Sequence, residues 1–320
     1  MFDEGPGRGG GPRDDIIVPF QVGSSAVRGR LVRLGPTIDD LLRRHDFPLP
    51  VKQLVGETAA LVAMLGAALK FDGKLILQAQ GDGPVSMIVA DYTAGGALRA
   101  TAKLQDGHAG TAAKAQGPEL HYLLRRGHMV MTIDQGADME RYQGVVPLEG
   151  PSIARAAVNY FSQSEQIPTA IELAVGRITD EDGRETWRAG GIMAQFVPGE
   201  GGRRERGEAA LMADEDREAW NRAAILLETV SADELLDPTI GQEDLLFRLY
   251  HEDGVRVFDP TTTHFACTCS REKIASVLSQ YTRSDIEDML EDAAIEVSCD
   301  FCRAVYRFEL DETGERFRDD

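Results

Sequence analysis

All four cysteines of this 320-residue chain lie near its carboxyl end, as Cys267-Thr-Cys269 and Cys299-Asp-Phe-Cys302. Thiolate sulfur does two kinds of chemistry: it ligates soft metals, and it exchanges electrons through disulfides. Two close pairs separated by twenty-nine residues can each supply two corners of a tetrahedron, the coordination zinc takes from four thiolates. The expected site is one zinc ion per chain held by Cys267, Cys269, Cys299 and Cys302. His264 is close in sequence, but four sulfurs already complete the shell and leave it at the surface or beside the ligands. Only one residue separates Cys267 from Cys269, where zinc ribbons generally use two or more. Thiols this close can also oxidise to a strained, labile disulfide, which would eject the ion. Free buried thiols would not explain two tight pairs with no cysteine elsewhere; two structural disulfides suit exported proteins, and the first thirteen residues lack the apolar middle of a signal peptide.

The segment between the pairs supports a small folded module over 257–310. Ile274, Val277, Leu278 and Tyr281 share one face of a short helix. Ser284-x-x-Glu287 has the pattern of a capping box opening a second, which carries Ile286, Met289 and Leu290. AIEVS and RAVYRFEL flank Cys299–Cys302 as a hairpin. So few large apolar side chains bury too little to hold fifty-four residues together, whereas structural zinc supplies about 10–16 kcal/mol in small peptides. Metal loss should therefore unfold the module.

Upstream, the Gly-rich start at 1–14 is expected to be disordered. Residues 15–200 read as a core domain. IIVPFQV (16–22) and VRGRLVRL (27–34) form a hairpin across Gly23-Ser24-Ser25, and residues 51–70 carry Val51, Leu54, Val55, Leu61, Val62, Leu65 and Leu69 at helical spacing. LILQAQ (75–80), VSMIVADY (85–92) and ALRATA (97–102) make an antiparallel meander, with Gly81-Asp-Gly83 as a turn rather than a phosphate cradle. Extended segments at 129–133 and 142–146, a helix over 151–163 and strands at 171–178 and 190–198 complete the domain. The composition changes at Gly199-Glu-Gly-Gly202, so a helical linker is expected over 201–256, with helices near 214–229, 231–236 and 241–249 whose narrow apolar stripes need neighbours to pack on. An acidic tail covers 311–320. The fold class is α+β: an amino-terminal domain of mainly antiparallel sheet packed with helices, a helical linker, and a small α/β zinc-binding domain.

A formal charge of −19, concentrated after residue 203, argues against nucleic acid, whose phosphates need cationic partners. No segment approaches the roughly 20 consecutive apolar residues of a spanning helix, so no membrane partner is expected and the default address is the cytoplasm. Motifs of serine hydrolases, phosphate loops and zinc proteases are missing, and no catalytic or cofactor-binding residue is assigned. The enzymatic alternative is a thiol–disulfide oxidoreductase acting through Cys299 and Cys302. It needs a low thiolate pKa that neighbouring acidic side chains disfavour.

Phe265-Ala-Cys-Thr-Cys-Ser-Arg-Glu272 and Cys299-Asp-Phe-Cys302, with Tyr306 and Phe308 after them, resemble the bacterial thirty-three-kilodalton chaperonin family of redox-regulated heat-shock holdases. So do Arg28-Gly-Arg30, Arg44-His45, Gln78-Ala-Gln-Gly-Asp-Gly-Pro84, Tyr142-Gln-Gly-Val145, Tyr160-Phe-Ser-Gln-Ser-Glu-Gln-Ile-Pro-Thr169 and Ala189-Gly-Gly191. The likeness runs from Asp15 to about Leu310. It implies an ATP-independent, non-enzymatic chaperone, inactive while reduced and zinc-loaded. By the same resemblance, oxidation would pair Cys267 with Cys269 and Cys299 with Cys302, release zinc, loosen the linker and expose apolar surface. That surface would bind unfolded or oxidatively damaged proteins, usually as a homodimer. The Gly-rich start and the acidic tail depart from the family's pattern.

Overall fold

A computed structural model describes residues 14–69, 72–136, 139, 141–179, 182–197, 214–290 and 294–309. Apart from Asp14, the Gly-rich start lies outside them, as do the Gly199–Gly202 break, the opening of the expected linker and the acidic tail 311–320. Contacts divide the chain between Phe265 and Ala266.

In the larger unit, β1 (Ile16–Val22) and β2 (Val27–Leu34) form the expected hairpin, turning through Gly23 at φ 53. The next element, α1 (Pro36–Arg43), was not anticipated. Its own sequence lacks a capping side chain; the cap comes from the far end of the hairpin, where the Asp15 carboxylate accepts the Gly35 and Thr37 backbone N–H groups. The long helix α2 (Leu49–Gly66) lies between two sheets and is buried on nearly all sides, so small residues replace a polar face. At Gly66 an added Cβ would sit 2.4 Å from the Tyr92 ring.

The strands β3 (Lys74–Gly81), β4 (Val85–Thr93) and β5 (Ala97–Leu104) form the meander. Short helices α3 (Ala109–Ala112) and α4 (Leu120–Leu123) lead into β6 (Gly127–Asp134) and β7 (Tyr142–Pro147). The helix expected over 151–163 is α only at α5 (Ile153–Tyr160), then widens into one π turn, Phe161–Glu165, ending at Gln166 with φ 56. Strands β8 (Thr169–Thr179) and β9 (Glu185–Phe196) follow. The helices of the expected linker are α6 (Asp214–Glu228), α7 (Ala232–Leu236) and α8 (Gln242–Tyr250). Three short strands, β10 (Val255–Val257), β11 (Thr261–Thr262) and β12 (His264–Phe265), close the unit.

Among the described residues, one sheet runs β10-β1-β2-β9-β8, with β11 also on β1, and the other β12-β5-β4-β3-β6-β7. All pairings are antiparallel except β12 on β5. Residues 257–265, expected in the small module, thus run with the larger unit. Strands of two or three residues carry no readable periodicity, and their pairing partners lie far back in the chain.

Two cores result. One joins α1, α2, α5 and both sheets. The other is formed by the opposite face of the first sheet, with Val18, Phe20, Leu31, Ile192 and Phe196, and by Ala223, Leu227, Leu235, Leu245, Leu246, Leu249 and Tyr250 of α6–α8. Phe20 stacks on Tyr250 at 5.6 Å, and Gly190 lets α7 come close: an added Cβ there would meet the Leu235 carbonyl oxygen at 2.5 Å.

The smaller unit contains α9 (Arg271–Leu278), α10 (Arg283–Met289) and the ribbon β13 (Ala294–Ser298) with β14 (Val305–Glu309). Its buried core is Leu278, Ile286, Ile295 and Phe308. The capping box of α10 is formed by Thr282 and Asp285, two residues earlier than the Ser284/Glu287 pattern suggested.

Candidate metal centre

Local hydrogen bonding places each cysteine pair. Before α9, Ser270 caps the helix by accepting the Lys273 N–H, and Lys273 Nζ donates to the Thr268 carbonyl at 2.6 Å, closing the loop that holds Cys267 and Cys269. The second pair sits in the turn between β13 and β14. There the Cys299 N–H donates to Ala304 O and the Arg303 N–H to Cys299 O, both at 2.8 Å. Arg303 adopts φ 59, a left-handed conformation that costs energy for a side-chain-bearing residue and persists because the turn is pinned on both sides.

The outcome is one cluster. All four sulfurs lie within 4.8 Å of one another, with Cys267 Sγ 3.7 Å from Cys299 Sγ and Cys269 Sγ 3.4 Å from Cys302 Sγ. These separations exclude a disulfide bond, which needs about 2.05 Å. Four sulfurs at about 2.3 Å from a tetrahedral zinc lie about 3.8 Å apart, so the donor set fits that ion in chemistry and in spacing. All four cysteines are half-buried. Without a cation, burial pushes the Cys299 thiol up and the Cys302 thiol to about 12. A bound dication reverses that balance, because a coordinated thiol is deprotonated outright.

Tyr306 on β14 has its hydroxyl 3.2 Å from Cys269 Sγ. That hydrogen bond, more than desolvation, raises the phenol to about 12 and keeps it protonated. Arg271 donates to the Arg307 carbonyl at 2.8 Å and lies 4.7 Å over the Phe308 ring, tying α9 to β14. The sequence marked Tyr306 but not its role. Its phase in the strand is readable, yet its reach to a sulfur thirty-seven residues earlier is not. His264 lies on β12 of the larger unit and is not among the clustered ligand groups.

Comparison with known proteins identifies the arrangement. The model of the Hsp33 protein family matches residues 15–309. The chain belongs to the Hsp33 family. Among curated Hsp33 relatives, the 33 kDa chaperonin of Caulobacter vibrioides (strain NA1000 / CB15N) is 44% identical over 308 residues, covering 95% of this chain and 97% of that protein. That of Escherichia coli O7:K1 (strain IAI39 / ExPEC) is 34% identical over 305 residues, covering 95% of each chain. The crystal structure of the Hsp33 homologue from Thermotoga maritima superposes with a TM-score of 0.72 at 21% identity, over 92% of this chain and 95% of that one, a likeness of fold.

Membership in the Hsp33 family makes the protein a chaperone, whose partners are unfolded proteins. Its four cysteines are close enough to hold a metal ion. No helix among the described residues is long and apolar enough to cross a membrane. The Gly81-Asp82-Gly83 segment is a tight turn: added Cβ atoms on the glycines would meet Leu124 O at 2.0 Å and Leu123 O at 2.3 Å, and Asp82 accepts the Arg126 N–H. The amides a phosphate cradle would use are already spent, the Asp82 N–H on Arg126 O and the Gly83 N–H on Leu124 O.

Proposed function

We propose that this chain is a redox-regulated, ATP-independent holdase whose switch is a zinc ion held by Cys267, Cys269, Cys299 and Cys302. The supporting observation is the sulfur cluster, set in a unit whose buried core is little more than Leu278, Ile286, Ile295 and Phe308. Four apolar side chains contribute only about 1.5–3 kcal/mol each, whereas structural zinc contributes about 10–16 kcal/mol. Bound zinc supplies charge that keeps four thiolates together. On oxidation, Cys267 pairs with Cys269 and Cys299 with Cys302. Each pair yields two electrons to an oxidant such as hypochlorous acid, which leaves as chloride and water. The present cross-pair contacts, Cys267 to Cys299 and Cys269 to Cys302, separate in the process.

The unit from Ala266 onward is then the sensor, 201–256 the releasable linker, and 15–200 the domain that binds clients and forms a homodimer in the active, cytoplasmic protein. α6–α8 cover an apolar sheet face, so their release would expose Phe20, Leu31, Ile192 and Phe196, a surface suited to unfolding chains. The oxidoreductase alternative is disfavoured by burial that holds Cys299 and Cys302 protonated when no metal is bound.

The test is to measure metal content and free thiols before and after hypochlorite, to map disulfides by mass spectrometry, and to follow light scattering of an unfolding client. One zinc per reduced chain, two local disulfides after oxidation and suppressed scattering are expected. Reduced protein that is metal-free yet folded around Phe308, or oxidised protein that leaves scattering unchanged, would refute the reading.

A further inference from the structure

On the face of the first sheet that α6–α8 cover, two arginines are buried, Arg33 of β2 and Arg188 of β9. Arg33 is only 1% exposed, although it carries a full charge, and such burial requires partners for its donors. It finds them in the backbone of α7 and the turn after it. Nε donates to Leu235 O at 3.2 Å, one terminal nitrogen to Glu234 O at 3.1 Å, and the other to Ile240 O. These acceptors include carbonyls at the end of α7, where a helix leaves its last oxygens without internal partners. Two carboxylates flank the guanidinium, Asp14, which pairs with Arg188, and Asp237 at the end of α7; Arg188 is the like charge that opposes them.

We infer that Arg33 is the positioning residue that latches the linker: its planar fork gathers three main-chain carbonyls of 234–240 onto the first sheet and thereby sets the threshold for releasing α6–α8. The inference rests on the reading that these helices are the released segment, and extends it by naming what holds them. The physical logic is asymmetric. With Arg33 in place, docking satisfies both the guanidinium and the carbonyls. Without it, carbonyls sealed against the sheet regain partners only by reaching water, so the cost falls on the docked state alone. The main-chain acceptors cannot be altered by substitution, which makes Arg33 the one side chain through which this contact can be tuned. Elsewhere α6–α8 meet the sheet through apolar contacts and a hydrogen bond from Gln242 Nε2 to Ile16 O at 3.3 Å, and the chain just after them pairs as β10 with β1.

The experiment uses the full-length, reduced, zinc-loaded chain carrying Arg33→Met, which keeps bulk and removes every donor, and Arg33→Lys, which keeps charge but loses the fork. Amide hydrogen exchange is followed in 232–249 and, as an internal reference, in α2. Three charge-assisted bonds predict exchange in 232–249 faster by about a hundredfold in Arg33→Met, with α2 protection and zinc content unchanged and Arg33→Lys intermediate. Exchange in 232–249 unchanged while the variant folds overturns the latch. So does an equal loss of protection in 232–249 and α2, which would make Arg33 a general core residue. Should Arg33→Met fail to fold, the graded effect of Arg33→Lys decides by the same comparison. Faster exchange without oxidant-independent suppression of client scattering would uphold the latch and overturn the proposed link between linker release and client binding.

Discussion

Glu57 gives the fold a pH dependence that can be worked out and tested. It lies on α2 between the two sheets, only 9% exposed, and its Oε2 has no hydrogen-bond partner among the described residues. Burial first, and the Glu172 carboxylate second, raise its pKa from 4.5 to about 8. Glu172 is itself raised, by burial and by Glu228 at the end of α6. A carboxyl whose folded-state pKa lies above its unfolded value binds its proton more tightly when folded. Its stabilising contribution is therefore complete below about pH 4.5 and is lost as pH rises towards and through 8. At about 1.36 kcal/mol per pH unit, the loss reaches roughly 1 kcal/mol at pH 5 and about 5 kcal/mol at pH 8.5. Glu57→Gln keeps the shape and stays neutral, so it escapes the loss. Urea unfolding of wild type and variant, followed by Trp187 and Trp220 fluorescence in reducing, zinc-containing buffer, isolates this carboxyl because every other titrating group is common to both. The variant should gain little at pH 5 and become more stable than wild type by several kcal/mol at pH 8.5. A difference that does not change with pH, or a variant weaker at pH 8.5, would show that Glu57 is ionised and solvated in the fold.

Two further outcomes concern the smaller unit. Tyr306→Phe removes the hydroxyl that reaches Cys269, and loss of such an outer-shell partner should weaken zinc retention about tenfold, read by competition with a chromogenic chelator; unchanged retention would deny the hydrogen bond a role. Phe308→Ala removes the largest buried side chain of a very small core, at a cost of about 3–5 kcal/mol, and under the proposed linkage of metal binding to folding, zinc affinity should fall with it. Intact affinity in that variant would mean that the sulfur cluster forms without the β13–β14 ribbon's packing.

The sulfur site was legible because its chemistry is written in spacing: four thiols in two pairs leave few alternatives, and the elements around them have ordinary helix and hairpin patterns. The hairpin of β1 and β2, the meander and α6–α8 were legible for the same reason, since each carries its own periodicity. What could not be read depends on distant partners. α1 is capped by Asp15 from beyond a hairpin, β12 pairs in parallel with a strand more than 150 residues earlier, and the π turn at 161–165 shares the composition of the helix it extends. Arg33 belongs to this group. In VRGRLVRL it looks like one more solvent-facing charge on an alternating strand, and only the fold reveals that its alternation points into a covered face.

That contrast bears on how the two parts of the switch divide their labour. A four-thiolate site is nearly all-or-none: its ion is held or lost, and chemistry decides which. A latch of hydrogen bonds to main-chain carbonyls is graded, because each donor removed shifts the docking equilibrium by a modest factor. Under the proposed mechanism the sulfur site would then fix what is sensed, while Arg33 fixes how much further disturbance, such as heat, is needed once the metal has gone. Sequence changes at position 33 could retune that threshold without touching a cysteine, which is a separation a single thiolate site could not provide.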